Sequence, residues 1–417
     1  SKKLNVPFYL YKLTGGYTTY EDGIRRFHNK EDKKGFPVDK NTVAIVRGSI
    51  TRKDSWMDLV TMLERDNACV VNPRNTINIC VDKYRTTLRL ADYGLSQPKT
   101  ILLNDPENSG KQVEEAELKY PIILKTLRGS KGVGVLFVES AKSLDSIVQL
   151  IHKQDEDADL LLQEYIKTEY DVRVHVLGGK VLAAMARPVI EGDFRSNVSQ
   201  GSKPKNIKLT ELEIEETLKA AKAVGGYWTA VDFIPSKNRD KEPPYFLEVN
   251  SSPGTEGIED ATGMNIAKDV INHFADGENR YTVPTECGFK EILTIKPFGD
   301  LVSKFDTGNS GMPVIHADKY KIKGNEITWT LLNKTITSKI IRKEEISVGG
   351  LRDYDETRYV VRLDVEFAGG FYKDVEFTID DREDRTPILL DRAFMKRLNV
   401  MVNPQRKYVI TTKYSLD

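Results

Sequence analysis

Between residues 275 and 288, at "ADGENRYTVPTECG", the texture of the chain changes. Upstream, apolar strands alternate with segments of helical period; downstream, short strands follow one another through turns and long helices nearly vanish. One layered architecture cannot serve both textures. The expectation is an α/β or α+β portion, then a linker, then a separate all-β domain. A length of 417 residues agrees with two or three domains, each able to bury its own core. The expected boundaries are 1–85, 86–280 and 288–417.

Charge removes several function classes. Lys plus Arg number 62 and Asp plus Glu 62, so no whole-chain field draws the protein to nucleic acid or to an anionic membrane. Cys69, Cys80 and Cys287 are too few and too scattered for a disulfide framework or a thiolate metal site. The apolar run in "SKKLNVPFYLYKL" is too short for a secretory signal, and no stretch of about 18 apolar residues occurs. A soluble, cytoplasmic protein with no nucleic-acid or membrane partner is expected.

Several elements can be placed from pattern alone. "VAIV", the helical spacing of Trp56, Leu59, Val60 and Leu63, and "ACVV" before Asn72-Pro73 predict a strand, helix and strand. A helix is expected over "VDKYRTTLRLADYG", ending at Gly94. Another is expected over "TELEIEETLKAAKAVGG", opened by the capping-box spacing of Thr210 and Glu213, with Ile214, Leu218 and Ala221 as its buried stripe. "DVRVHVLGGKVLAAMARPV" predicts a hairpin turning at Gly178-Gly179.

Four stretches carry chemistry. "YPIILKTLRGSKGVGV" joins a strand bearing Lys125 to a Gly-rich loop with Arg128 and Lys131, and then to another strand. Gly lets backbone approach a phosphate and the cations offset its charge; the same residues also suit a plain hairpin turn. The absence of a following helix argues against the P-loop and the dinucleotide fingerprint. "LLLQEYI" ends a strand at Gln163, Glu164 and Tyr165, able to offer backbone to a purine and a carboxylate to ribose. In the hairpin, Asp171, Arg173 and His175 share one face, and Arg187 leads into "EGDFRSNVSQG" with Arg195 and Asn197. Guanidinium groups without an obvious acidic partner point to an anion site, against the alternative of a solvated face.

The fourth stretch is "YFLEVNSSPG". An apolar strand there carries Glu248 and Asn250 on one face and breaks at Pro253-Gly254, while "TAVDFIP" supplies Asp232 from the strand before. Three oxygen donors on one face suit Mg²⁺ and nucleotide phosphates. Neutralisation of the carboxylates by internal Arg or Lys is the competing reading.

These segments in this order resemble the ATP-grasp ligases, and among them the RimK-type family that adds glutamate to a carboxylate. The resemblance runs from "NTINICVDKYRT" to "IEDATGMNIAKDVINHF", nearly half the chain, and rests on "LLQEYI", "EGDFRSN", "VDF" and "LEVNSSPGTEGIE". It implies an N-terminal pre-ATP-grasp domain and a central ATP-grasp domain. It places Lys125, with Lys83 as a weaker candidate, on nucleotide phosphates, and Gly129, Ser130, Lys131 and Gly132 in a loop over them. Gln163, Glu164, Tyr165, Ile166 and Asp171 would line the adenine and ribose site, with Arg173 and Asn197 also on the nucleotide. Arg187, Arg195 and Asn250 would be catalytic, and Asp232, Glu248 and Asn250 would hold two Mg²⁺ ions, with Mn²⁺ as an alternative. The implied partners are ATP, an amino acid, glutamate by family, and a peptide or protein carboxylate. Two departures stand out: a short segment between "QEYI" and Asp171, and Pro188 where a second Arg often stands.

The C-terminal stretches "LVSKFDTGNSGMPVIHA" and "RTPILLDRAFMKRLNVMVNPQRKYVIT" resemble the retropepsin-like fold of the bacterial "ATP-dependent zinc protease" family. Only one Asp-Thr-Gly triplet, at Asp306, occurs, so a catalytic pair of aspartates requires a homo-oligomer. Asn309 replaces the usual small residue after the triplet and Asp391 replaces a Gly. Proteolysis at Asp306 and a non-catalytic β-domain for docking or dimerisation are both open. His316 matches that family's "HA", but two further zinc ligands are not evident.

Overall fold

Parallel strands β1 (Val43–Ile45) and β2 (Cys69–Val71) are joined by helix α1 (Asp54–Arg65), which lays Met57 and Val60 onto them. This is the strand, helix and strand anticipated from the sequence. We describe a computed structural model, covering all residues except 1–5, 22–23, 31–33, 104–105, 128–133, 190–202, 348–354, 383–385 and 412–417. The chain forms two units, Ser1–Thr282 and Val283–Asp417, so the division falls within the stretch read as a linker.

The helix expected over 81–94 is α3 (Lys83–Asp92), and a helix not anticipated from the sequence, α2 (Arg74–Val81), precedes it. Asp82 divides them: its backbone is extended, and its carboxylate accepts from the Tyr84 and Arg85 amides, capping α3. Gly94 does end α3, at φ 66°. Four antiparallel strands follow in one sheet: β3 (Thr100–Leu103), β4 (Ile122–Thr126), β5 (Val135–Val138) and β6 (Leu160–Glu164), ordered β3-β6-β4-β5. Helices Ser109–Glu115 and Ala141–Gln154 accompany it, and Leu144 and Val148 of the latter share a core with Ile122, Leu124, Leu160 and Leu162.

A second antiparallel sheet comprises β7 (Tyr170–Leu177), β8 (Lys180–Pro188), β9 (Lys205–Asn206), β10 (Trp228–Ile234) and β11 (Tyr245–Asn250), ordered β9-β8-β7-β10-β11. Gly178 and Gly179 form the β7–β8 turn with φ of 55° and 74°, the left-handed values a two-residue hairpin turn needs. Helix α4 (Glu211–Ala223) has the expected capping box at Thr210 and Glu213. Of the expected stripe, Ala221 is buried and Leu218 packs partly buried against the core, but Ile214 does not belong to it. Glu213 turns inward to its cap and to Arg239, so the helix buries Glu213, Thr217, Ala220 and Ala221 and leaves Ile214 exposed.

The second unit is β-rich. A seven-stranded sheet runs in the order Lys290–Ile295, Gly299–Phe305, Ile388–Leu390, Val314–His316, Gly370–Asp380, Asp355–Phe367, Arg342–Ser347, and the first of these also pairs with Asp355–Phe367. Trp329, Phe377, Val361, Ile388 and Leu390 lie in its core. The longest helix described in this unit is Arg392–Leu398. Glu291 is fully buried, yet its carboxylate accepts from the amides of Gly288, Val409, Ile410 and Thr411 and from the Thr411 hydroxyl. No helix of the described residues is long and apolar enough to cross a membrane.

Candidate active site

Strand register builds the site. In the β7–β8–β10–β11 sheet, Asp171 stands opposite Arg187, Arg173 opposite Asp232, and Asp232 opposite Glu248, so alternation delivers all five to one face. Arg187 forks Asp171 at 2.6 and 2.7 Å and reaches Asp232 at 3.1 Å, while Arg173 grips Asp232 at 2.7 and 2.5 Å. Arg173 Nη2 lies 3.7 Å from Glu248, which accepts from Asn250 Nδ2 at 2.9 Å.

This corrects one expectation from the sequence. Arg173 and Arg187 do have acidic partners, because the hairpin register sets Asp171 beside Arg187 and the next strand supplies Asp232. Burial alone would raise the Asp232 carboxyl, but Arg173 and Arg187 outweigh it and hold it well below the usual range. For Arg187, burial favours losing charge, and Asp232 and Asp171 overcome that and lock it cationic.

From the other sheet, Lys125 is half-buried and donates to Gln163 at 2.6 Å, and Gln163 donates to Thr100 at 2.8 Å. Burial pushes the Lys125 ammonium down to about 8; the Glu248 charge opposes that shift and Lys83 adds to it. Lys83, at the start of α3, donates to the carbonyls of Thr126 and Leu127; burial lowers it too, against Glu248 and Asp82. Glu248 thus acts on two lysines and two arginines. Glu164 is exposed and accepts from the Lys99 amide, Tyr165 packs edge-on against Phe137, and Ile166 is half-buried. Arg128, Gly129, Ser130, Lys131, Gly132, Arg195 and Asn197 lie outside the described residues.

For a divalent cation, the donor chemistry fits. Glu248 Oε2 and Asn250 Oδ1 have no protein partner among the described residues, and two carboxylates with an amide oxygen suit Mg²⁺ bridged to phosphates. Asp232 has both oxygens engaged, so it joins such a site only as a guanidinium yields one. No group of three or more His, Cys, Asp or Glu side chains that could hold a metal ion occurs among the described residues.

Sequence reasoning missed Asn72, Arg47 and Trp228. Asn72 is buried; its Oδ1 accepts from the Tyr227 and Trp228 amides and its Nδ2 donates to the carbonyls of Trp228 and Ser251. It ties the end of β2 to β10 and to the turn after β11. The sequence marks it only as the residue before Pro73.

In the second unit, Asp306 follows strand Gly299–Phe305; Oδ1 accepts from the Gly308 amide at 3.0 Å and Oδ2 pairs with Lys304 at 3.1 Å. Burial would raise this carboxyl, but Lys304 and the Gly308 amide outweigh it and keep it low. Asp391 caps helix Arg392–Leu398 through the Ala393 and Phe394 amides, and the Asn309 side chain donates from Nδ2 to the Met312 carbonyl and accepts at Oδ1 from the Gly311 amide. Both departures from the family pattern therefore have structural tasks. His316 accepts at Nδ1 from the Arg382 amide and pairs at Nε2 with Asp318, so both ring nitrogens are engaged.

Comparison with known proteins agrees with this division. Residues 80–274 match the model of the RimK-like ATP-grasp domain, and residues 287–413 that of the retropepsin-like aspartic endopeptidase RimB. A probable alpha-L-glutamate ligase of Psychromonas ingrahamii is 39% identical over 199 residues, 47% of this chain and 64% of that protein. One from a Marinomonas species is 35% identical over 241 residues, 57% of this chain and 78% of that protein. The match thus spans just under two thirds of the first relative's length. The solved ATP-grasp ligase PsnB, complexed with minimal precursor, is 20% identical with a TM-score of 0.49, covering 63% of this chain and 86% of that one.

Proposed function

This chain belongs to the RimK-like ATP-grasp family, and on that premise we propose that it is an ATP- and Mg²⁺-dependent carboxylate–amine ligase adding glutamate to a peptide or protein carboxylate. One observation carries the reading: Lys83 and Lys125 from one side and Arg173, Asp232, Glu248 and Asn250 from the other converge where Glu248 acts electrostatically on the cations. Four cationic side chains there, Lys83, Lys125, Arg173 and Arg187, face three carboxylates, Asp171, Asp232 and Glu248, and the surplus suits a polyphosphate.

The acceptor carboxylate attacks the γ-phosphorus and expels ADP, giving an acyl phosphate; the incoming amine then attacks the acyl carbon and phosphate leaves. No side-chain nucleophile is needed. Lys125 and Lys83 hold phosphate oxygens, and Arg173 and Arg187 offset charge on the transferring group. Glu248 and Asn250, with Asp232 once a guanidinium yields one of its oxygens, would hold Mg²⁺, which would supply charge neutralisation at the phosphates. Gln163, Glu164, Tyr165 and Ile166 line the base and ribose side. Domain limits of 1–85, 86–280 and 288–417, a cytoplasmic setting and a homo-oligomer belong to the same reading.

The test is phosphate release by purified protein with ATP, Mg²⁺ and single amino acids plus acceptor peptides. Glu248→Ala, at a half-exposed position, is expected to abolish release without unfolding the chain; release at the wild-type rate would sink the proposal. A second reading, peptide hydrolysis at Asp306, is favoured by that residue's place in a turn at a strand end. The Lys304 ion pair weighs against it, since a shared proton needs a carboxyl that can stay neutral. Cleavage that disappears in Asp306→Asn would establish it.

A further inference from the structure

Beside the candidate active site lies a corner rich in donors and poor in acceptors. His175 is two residues along β7 from Arg173 on the same face, opposite Ala183 and Ala230. The ring is fully buried, and neither nitrogen closes a hydrogen bond. Burial, and then the charge of Arg173, push it down to about 3 and keep it neutral; the Gly254 backbone acts last among the influences on it, without well-formed hydrogen-bond geometry. Trp228, two residues from Ala230, also buries its Nε1–H without an acceptor, its ring 6.4 Å from that of His175. Arg47, in the loop after β1, stacks its guanidinium 4.9 Å from the Trp228 ring centre, and no carboxylate or carbonyl meets it among the described residues.

Buried donors are rarely left unpaired. Here the indole N–H and the imidazole are the buried unpaired groups, and the exposed Arg47 adds five N–H groups, so the corner offers seven donors against one ring-nitrogen acceptor by their chemistry, about what a carboxylate would answer. Position narrows the choice. Two residues along a strand are about 7 Å, so His175 is displaced by roughly that from Arg173. In glutamate, the amine and the side-chain carboxyl carbon are separated by four bonds, about 5 Å when extended, and a hydrogen bond adds about 3 Å. The α-carboxyl, two bonds from the amine, falls short.

We propose that Arg47, with His175 and the Trp228 indole behind it, forms a carboxylate subsite that selects the incoming amino acid by its side-chain carboxylate. Arg47 is the exposed member and takes the charge. The two buried rings set the guanidinium in place and offer N–H groups to an entering oxygen. This rests on the ligase reading and adds to it the residues that make glutamate the preferred amine.

The experiment uses the full chain with Mg²⁺, comparing glutamate, glutamine and aspartate in two ways: phosphate release with ATP and acceptor peptides, and calorimetric binding in the presence of a non-hydrolysable ATP analogue. Arg47→Met is expected to weaken glutamate roughly 10- to 100-fold, the scale of a hydrogen bond to a charged group, with nucleotide affinity and the weak binding of glutamine unchanged. Trp228→Phe and His175→Phe, which keep the rings, should each reduce the preference for glutamate over glutamine. An unchanged preference in Arg47→Met overturns the subsite, as does an effect confined to the KM of the acceptor peptide. Wild-type protein that releases no phosphate with any amino acid refutes the ligase reading, while the binding titration still decides the subsite. Turnover of a different amino acid without glutamate binding leaves the ligase and removes the subsite.

Discussion

Lys125 gives the site its clearest pH signature. Its pKa of about 8 lies below its ordinary 10.5, so burial of the charged form opposes folding at neutral pH, and this opposition fades as pH rises from about 8 to 10.5. A bound phosphate raises that pKa again. Nucleotide binding is therefore expected to take up a proton near pH 8 and to weaken as pH rises through it. Calorimetry in buffers of different ionisation enthalpy measures the uptake, and Lys125→Met should eliminate it; uptake that persists would assign the proton elsewhere. Arg187 is the second residue with a sharp expectation. Arg187→Met leaves Asp171 and Asp232 buried with a partner missing, which costs about 3–5 kcal/mol and is read from the urea midpoint. Asp171, Arg173, Asp232 and Glu248 were legible because strand alternation alone sorts them onto faces. Arg187's partners were not legible, since pairing register is a property of two strands together.

At the level of elements, caps and turns were easier to read than buried faces. Thr210 and Glu213 announce the start of α4, and Thr210→Ala should lose about 1 kcal/mol, measurable by thermal unfolding. Within the stripe of that helix only Ile214 was misread, because apolar spacing favoured it where Glu213, paired with Arg239, turns inward instead. Asp82 was similarly hidden: an Asp near the start of a helical pattern can lie on the surface or cap the helix, and only its two amide partners decide. Asn72 had no signal, because its partners lie about 155 and 179 positions away. Asn72→Ala leaves several buried backbone groups unpaired, each at roughly 1–3 kcal/mol. It should also loosen the turn after β11, lowering kcat more than nucleotide affinity; equal loss of both would indicate general unfolding.

For the whole molecule, the change of texture at 275–288 was the most informative feature, since it located the boundary between two units with separate cores. Separate cores predict separable effects. Asp306→Asn should leave ATP-dependent phosphate release intact, and its loss would mean that the second unit takes part in that chemistry. Why Arg47 belongs with Trp228 and His175 could not be read from the chain, because three distant segments meet only after the sheet forms. The central claim is that the γ-phosphoryl group passes to a carboxylate rather than to water. Phosphate released in ¹⁸O-labelled water, with glutamate and an acceptor peptide present, tests this directly by mass spectrometry. Ligation predicts phosphate free of solvent ¹⁸O, its new oxygen coming from the acceptor; phosphate carrying one ¹⁸O from water would contradict the account.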